Sequence, residues 1–225
     1  MTYGRLSCLS KGIALFALLI PLSLSAARAQ DVVLLAFGDS LTQGYGLKPG
    51  DGFVPQLEGW LTAQSEMDVK IINGGVSGDT TAGGASRIAW SLTPDVDAVL
   101  VTLGGNDLLR GFSPAQTRTN LDAILTEITG RGLPVILAGM SAVSNFGADF
   151  KEEFDALYPD LAQKHGAIYY PLFMEGMQTS IAQGAHSLVS LMQADGIHPN
   201  AQGVALNVAA IGPTVLTLIE TAAAR

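Results

Sequence analysis

Ser40 stands in "AFGDSLTQGYG", directly after an apolar run and among three glycines. A serine so placed has two uses. "SLTQ" at 40–43 carries the Ser-x-x-Gln spacing of a capping box, which starts helices. The same hydroxyl, on a short turn that "GYG" then interrupts, would be mounted as an exposed nucleophile. A nucleophilic serine needs a base, usually histidine, and the chain has three. His165 precedes Gly166 at the end of a helical stretch, where a cation complements the helix dipole, so it is read as structural. His186, in "GAHSLVSL", has no acidic residue within five positions and is read as a surface or lid residue. His198, in "DGIHPN", follows Asp195 by three residues and precedes Pro199. This spacing lets Asp195 accept from Nδ1, which fixes the tautomer and leaves Nε2 free as a base. Alone, Asp-x-x-His also describes a loop ion pair or half a metal site, although no further ligands of matching spacing are evident.

Acyl transfer also needs donors for the negative charge that develops on a carbonyl oxygen. Gly78 in "VSGDT" offers a backbone N–H, Asn106 in "GGND" a side-chain amide, and Ser40 its own N–H. Each has a plainer reading: positive φ at Gly78, and a turn at Asn106-Asp107. Their joint placement is what carries weight. Asp39 adjoins Ser40 and so does not face it; it is read as bracing the loop. The chain has no G-x-x-x-x-G-K-[ST] phosphate loop, no G-x-G-x-x-G after the first strand and no G-x-S-x-G elbow.

The elements that must position these residues alternate. Apolar runs at 32–38, 69–74, 98–105, 134–140 and 167–172 have the consecutive hydrophobicity of strands buried on both faces of a parallel sheet. Segments of helical length lie between them, with a Ser-Pro start at 113–114. A last one covers 201–224 and is weakened by Gly212-Pro213. Five such units without repeat or linker predict one α/β domain, a three-layer α/β/α sandwich over 30–225. Chemistry in such a sheet lies beyond the carboxyl ends of the strands. The loops "GDSLTQG", "GGVSGDT" and "GGND" follow the first three strands and therefore share one edge.

Residues 1–29 are set apart. Arg5 and Lys11 precede an apolar run of about 16 residues containing Pro21, and "ARA" ends at Ala29, as in a secretory signal peptide cleaved there. A retained anchor is the alternative, but the run falls short of the roughly 20 residues a span needs. Export to a periplasm or the medium follows, without stable membrane insertion after cleavage. The remaining chain has nine basic residues against 20 acidic ones, a formal charge of −11. That balance excludes nucleic acid and anionic membrane surfaces as electrostatic partners. Cys8 leaves with the signal, so no thiol nucleophile, disulfide or cysteine metal ligand remains. No oligomeric state is read from the sequence.

Four blocks stand in order: "FGDSLTQGYG", "GGVSGDTTAGG", "TLGGNDLLRG" and "DGIHPNAQG". Together they resemble the SGNH (GDSL) hydrolase superfamily, and in particular its exported thioesterase I, arylesterase and lysophospholipase group, over residues 31–220. The resemblance implies a flavodoxin-like five-stranded parallel sheet of order 2-1-3-4-5, no metal, no cofactor and hydrolysis of acyl esters and thioesters. It puts the family's four namesakes on Ser40, Gly78, Asn106 and His198, with Asp195 as the acid. The substrate, a small-molecule or lipid acyl ester, is expected against Asp39, Leu41, Gly105, Met140, Val143 and Ile197. Aliphatic and Met side chains near 139–143 and 188–192 are candidates for an acyl groove, or ordinary core. Relatives often carry a proline or bulkier residue where Ala142, Val143 and Ser144 stand, so the resemblance does not set acyl-chain length or ester-versus-thioester preference. A carbohydrate O-deacetylase and a non-catalytic exported binding protein are the alternatives.

Overall fold

The structure is a computed structural model that describes residues 1–4, 31–142 and 144–225. Val143, and all but the first four residues of the expected signal peptide, lie outside the described residues.

Strands β1 (Val32–Gly38), β2 (Val69–Gly75), β3 (Ala98–Thr102), β4 (Val135–Ala138) and β5 (Ile168–Tyr170) form one parallel sheet in the order β2-β1-β3-β4-β5. Alternate side chains of each strand point to opposite faces. Leu34 and Ala36 of β1 enter one core with Leu57 and Leu61 of α2 (Phe53–Gln64) and Ile211 and Val215 of the last helix, Ala201–Ala223. Leu35 and Phe37 enter the other, with Ile124 and Leu121 of the helix Pro114–Gly130 and Phe154 and Leu157 of the helix Ala148–His165. Both faces are covered over β1, β3 and β4, which is why those strands read as unbroken apolar runs, whereas the edge strands β2 and β5 keep exposed positions at Lys70, Asn73 and Tyr169.

In chain order the helices are α1 (Ser40–Gln43), α2, α3 (Thr81–Ser91), α4 (Gly105–Leu109), α5 (Pro114–Gly130), α6 (Ala148–His165), α7 (Glu175–Ala182), α8 (Leu188–Leu191) and α9 (Ala201–Ala223). β3 ends at Thr102, three residues before its expected end, because Gly104 adopts a left-handed conformation (φ 118°) that opens α4. α9 fills nearly all of its expected span and runs unbroken through Gly212-Pro213. Pro213 removes one internal bond, but the helix is anchored along its length by Val208, Ile211, Val215, Leu218 and Ile219, all within the core. α9 is apolar enough to cross a membrane by length and composition, yet half of that stretch is buried in the domain. It is a core helix.

The register aligns Gly38 with Gly75 on one side and with Thr102 on the other. The loops after β1, β2 and β3 therefore leave the sheet at one level. This is the edge at which the candidate side chains meet.

Candidate active site

Asp39, not Ser40, caps α1. Its carboxylate accepts from the Leu41 N–H at 3.0 Å, and Ser40 is the first helical residue. The capping-box reading of Ser40 is therefore corrected: with the cap supplied by its neighbour, the Ser40 hydroxyl is free for another partner. Thr42 of the same turn hydrogen-bonds Thr102 at the end of β3, which pins α1 to the sheet. Gly44 closes the turn in the left-handed conformation.

The partner of Ser40 is His198. Ser40 Oγ and His198 Nε2 lie 2.8 Å apart, and His198 Nδ1 lies 2.6 Å from Asp195 Oδ2. Asp195 also accepts from the backbone N–H of His198 at 3.0 Å and of Ile197 at 2.9 Å through Oδ1. Those bonds, the His198 backbone N–H first and the imidazole next, hold its carboxyl down at about 2. An ionised carboxylate only accepts. The proton between this pair thus sits on Nδ1, and in neutral imidazole Nε2 is left to accept from the Ser40 O–H.

Three potential donors belong to residues that line the same cavity. The Ser40 and Gly78 N–H groups have no partner among the described residues. Gly78 sits at φ 77°, and its carbonyl accepts from Arg110 at 2.8 Å. The Asn106 amide donates one hydrogen to Asp39 Oδ2 at 3.1 Å and keeps a second. Asn106 and Asp107 are not merely a turn: Asp107 is fully buried and takes both the N–H and the hydroxyl of Thr81, at 2.8 and 2.5 Å. That bond joins α4 to the start of α3. Asp39 itself is buried, and burial pushes its carboxyl up to about 6 against the pull of the Leu41 N–H and the Asn106 amide.

The cavity has a volume of about 530 Å³. Ser40, His198, Asp195, Gly78 and Asn106 are its polar lining, and Leu41, Tyr45, Leu108, Met140, Met174 and Ile197 supply its apolar lining. Few convergent polar groups in an apolar concavity is the usual make-up of a ligand site. A wider groove of about 770 Å³ runs between α5 and α6, but it is lined by Arg118, Asp149, Glu152 and Glu153 and has no serine, cysteine or histidine in its lining. Size does not locate the chemistry here; the converging side chains do.

Residues 36–206 match the model of the GDSL-like lipase/acylhydrolase family. The chain belongs to this family. The esterase TesA of Pseudomonas aeruginosa is 35% identical over 181 residues, 80% of this chain and 86% of that protein. The thioesterase 1/protease 1/lysophospholipase L1 of Escherichia coli K12 is 34% identical over 186 residues, covering 82% and 83%. Among solved structures, the SGNH-hydrolase esterase AlinE4 superimposes with a TM-score of 0.66 at 44% identity, over 83% of this chain and 96% of that one. A structure of TesA gives 0.73 at 33% identity, over 83% and 99%. As a member of the GDSL-like family the chain is an ester-hydrolysing enzyme with the SGNH hydrolase fold.

Within this GDSL-like site the structure brings together most of the residues singled out from sequence. Leu41, Gly105, Met140 and Ile197 line the cavity with Asp39. The stretch 188–192 does not reach it: Leu188 and Val189 are exposed on α8, and Leu191 is buried in the domain. His186 is tied between Ser180 Oγ at 2.7 Å and Gln202 at 2.8 Å, and His165 binds Asp122 at 2.6 Å. Neither lines the cavity. Sequence reading missed Arg87, which is buried and donates to the carbonyls of Gly38 and Gly74 (both 2.9 Å) and to Asp79 (2.7 Å) while lying over the Phe37 ring. A lone cation in the otherwise uncharged "TAGGASRIAWSL" was the available signal. Leu108 and Leu109, directly after Asn106, were equally open to notice; Tyr45 and Met174 carried no local sign.

Proposed function

We propose that the chain is a serine esterase and thioesterase acting through an acyl-enzyme on Ser40, with His198 as base and Asp195 as the acid that orients it. One observation carries this reading: the continuous Ser40–His198–Asp195 relay, 2.8 and 2.6 Å, at the wall of an apolar cavity. His198 Nε2 takes the hydroxyl proton as Oγ bonds to the acyl carbon, and the carbonyl electron pair moves onto oxygen. The Ser40 and Gly78 N–H groups and the free Asn106 N–H are the donors for that oxyanion. Collapse expels the alcohol or thiol, which leaves with the proton from His198. Water repeats the sequence, releases the carboxylic acid and restores Ser40.

The apolar wall favours acyl chains of lipid or aryl esters over the polar face of a carbohydrate, so it argues against the O-deacetylase alternative. The relay argues against a binding protein. Export with removal of residues 1–29 belongs to the same proposal. The test is covalent: a serine-directed fluorophosphonate should label Ser40, and Ser40→Ala should abolish both labelling and p-nitrophenyl ester hydrolysis. Labelling of the Ser40→Ala protein in this cavity would sink the assignment. Faster turnover of acetyl than decanoyl esters, with none of acyl thioesters, would move the reading to the deacetylase.

A further inference from the structure

We propose that Gln193 is a positioning residue whose side-chain amide clamps the loop carrying Asp195 and His198 onto the turn carrying Ser40. The inference rests on the Ser40–His198–Asp195 reading and extends it to a residue outside the cavity lining. Ser40 and His198 are 158 residues apart, and something must hold them in register. Packing of the base loop does little of this, because Ala194, Asp195, Gly196 and Ile197 are all exposed. Hydrogen bonds have to do it, and they converge on Gln193.

Its Nε2 carries two hydrogens and meets two carbonyls, Tyr45 O and Pro199 O, both at 2.9 Å. Its backbone N–H donates to His198 O at 2.8 Å, and its carbonyl accepts from Gly196 at 3.0 Å. On the other side, Tyr45 N–H donates to Ser40 O at 3.1 Å. A chain of three bonds thus runs from the backbone of Ser40 through Tyr45 and Gln193 to the backbone of His198. The fit is close: a Cβ on Gly46 would stand 2.2 Å from Gln193 Oε1, so only glycine admits the amide there. The Tyr45 ring also lies against the His198 imidazole, with centroids 4.8 Å apart. Moving Tyr45 and Pro199 apart would carry the imidazole away from Oγ.

The chemistry of the side chain makes the idea testable. Gln193→Met retains the volume and loses both donors; Gln193→Glu retains the shape and sets a carboxylate against two carbonyl oxygens. A displacement of about 1 Å at a reacting group can cost on the order of 100-fold. Both variants should therefore lose about 10- to 100-fold in kcat on a p-nitrophenyl ester, with KM changed less than about twofold. Rates are expressed per folded protein, measured by circular dichroism. The decisive comparison repeats Gln193→Met in a His198→Ala background. With no imidazole to position, the residual rate should change less than about twofold, because groups acting as one unit are non-additive. A kcat within threefold of wild type in both single variants, or an equal loss with and without His198, overturns the proposal. If wild type is neither active nor labelled at Ser40, the triad reading falls and this one falls with it.

Discussion

Asp39 is a carboxylate in an unfavourable place, and its position explains why. It caps α1 through Leu41 and holds one hydrogen of the Asn106 amide, which leaves the other without a hydrogen-bond partner among the described residues. Burial raises its folded pKa to about 6 from 3.8. The folded state thus binds this proton more tightly than the unfolded chain does. The associated stability is present in full below about pH 4 and is lost as pH rises through about 6. A shift of this size corresponds to roughly 3 kcal/mol. Asp39→Asn should therefore unfold at higher urea than wild type at pH 8, and the gain should disappear at pH 4. Its activity should fall, because an asparagine amide turned toward Asn106 no longer accepts from it. Denaturant curves at the two pH values check this; an equal effect at both would show that ionisation is not the cause. Asn106→Ala should lower kcat about 100- to 1,000-fold if its free N–H serves the oxyanion, and a loss below threefold in steady-state kinetics would reduce it to a turn residue. Ser40, Asp195 and His198 were legible because each is a polar residue among glycines or beside proline, where local spacing already implies a role. Gln193 and Arg87 were not, because they act on carbonyls that only the fold brings near: Tyr45 is 148 residues from Gln193.

Elements rather than residues decide how well the site is held. α2 and α9 cover one face of the sheet, and Trp60 of α2 lies across Gly212 of α9. A Cβ at Gly212 would stand 2.7 Å from the rigid indole ring. Ala in a helix interior is ordinarily better than Gly by about 1 kcal/mol. Overpacking at a contact this close costs about 1–3 kcal/mol, so packing should outweigh propensity. Gly212→Ala is expected to lower the unfolding midpoint, and a Trp60→Ala background should reverse the sign of that change. Thermal denaturation of the single and double variants measures both. The same pairing explains why α9 reads as weak in sequence and stands as one helix: Gly212 and Pro213 are local breakers, whereas their compensation lies in α2 and the core. Strand interiors were legible from apolar runs for the opposite reason, since burial on two faces writes itself into every residue. Strand ends were not. β3 stops at a left-handed glycine, and Gly104 looks in sequence like more of the same run.

At the scale of the whole molecule, a formal charge of −11 without residues 1–29 surrounds an apolar cavity, which suits uncharged esters and repels anionic surfaces. The folded domain also defines where the chain can begin. Among the described residues its first backbone bond is Val32 N–H to Asp68 O at 2.9 Å, followed by Val33 N–H to Asp97 Oδ2 at 2.8 Å. A chain starting at Gln30, as cleavage after Ala29 would leave it, keeps both. Its stability should then match that of the full chain to within about 1 kcal/mol, which is less than about 4 °C in the midpoint for a domain of this size. A chain starting at Leu35 loses the first three pairs of β1 with β2 and should not fold. Differential scanning calorimetry of the two truncations tests the boundary, and N-terminal sequencing of the protein recovered from expressing cells tests the cleavage. An exported chain that still begins at Met1 and sediments with membranes would establish an anchor instead, while leaving the calorimetric prediction to stand on β1 alone.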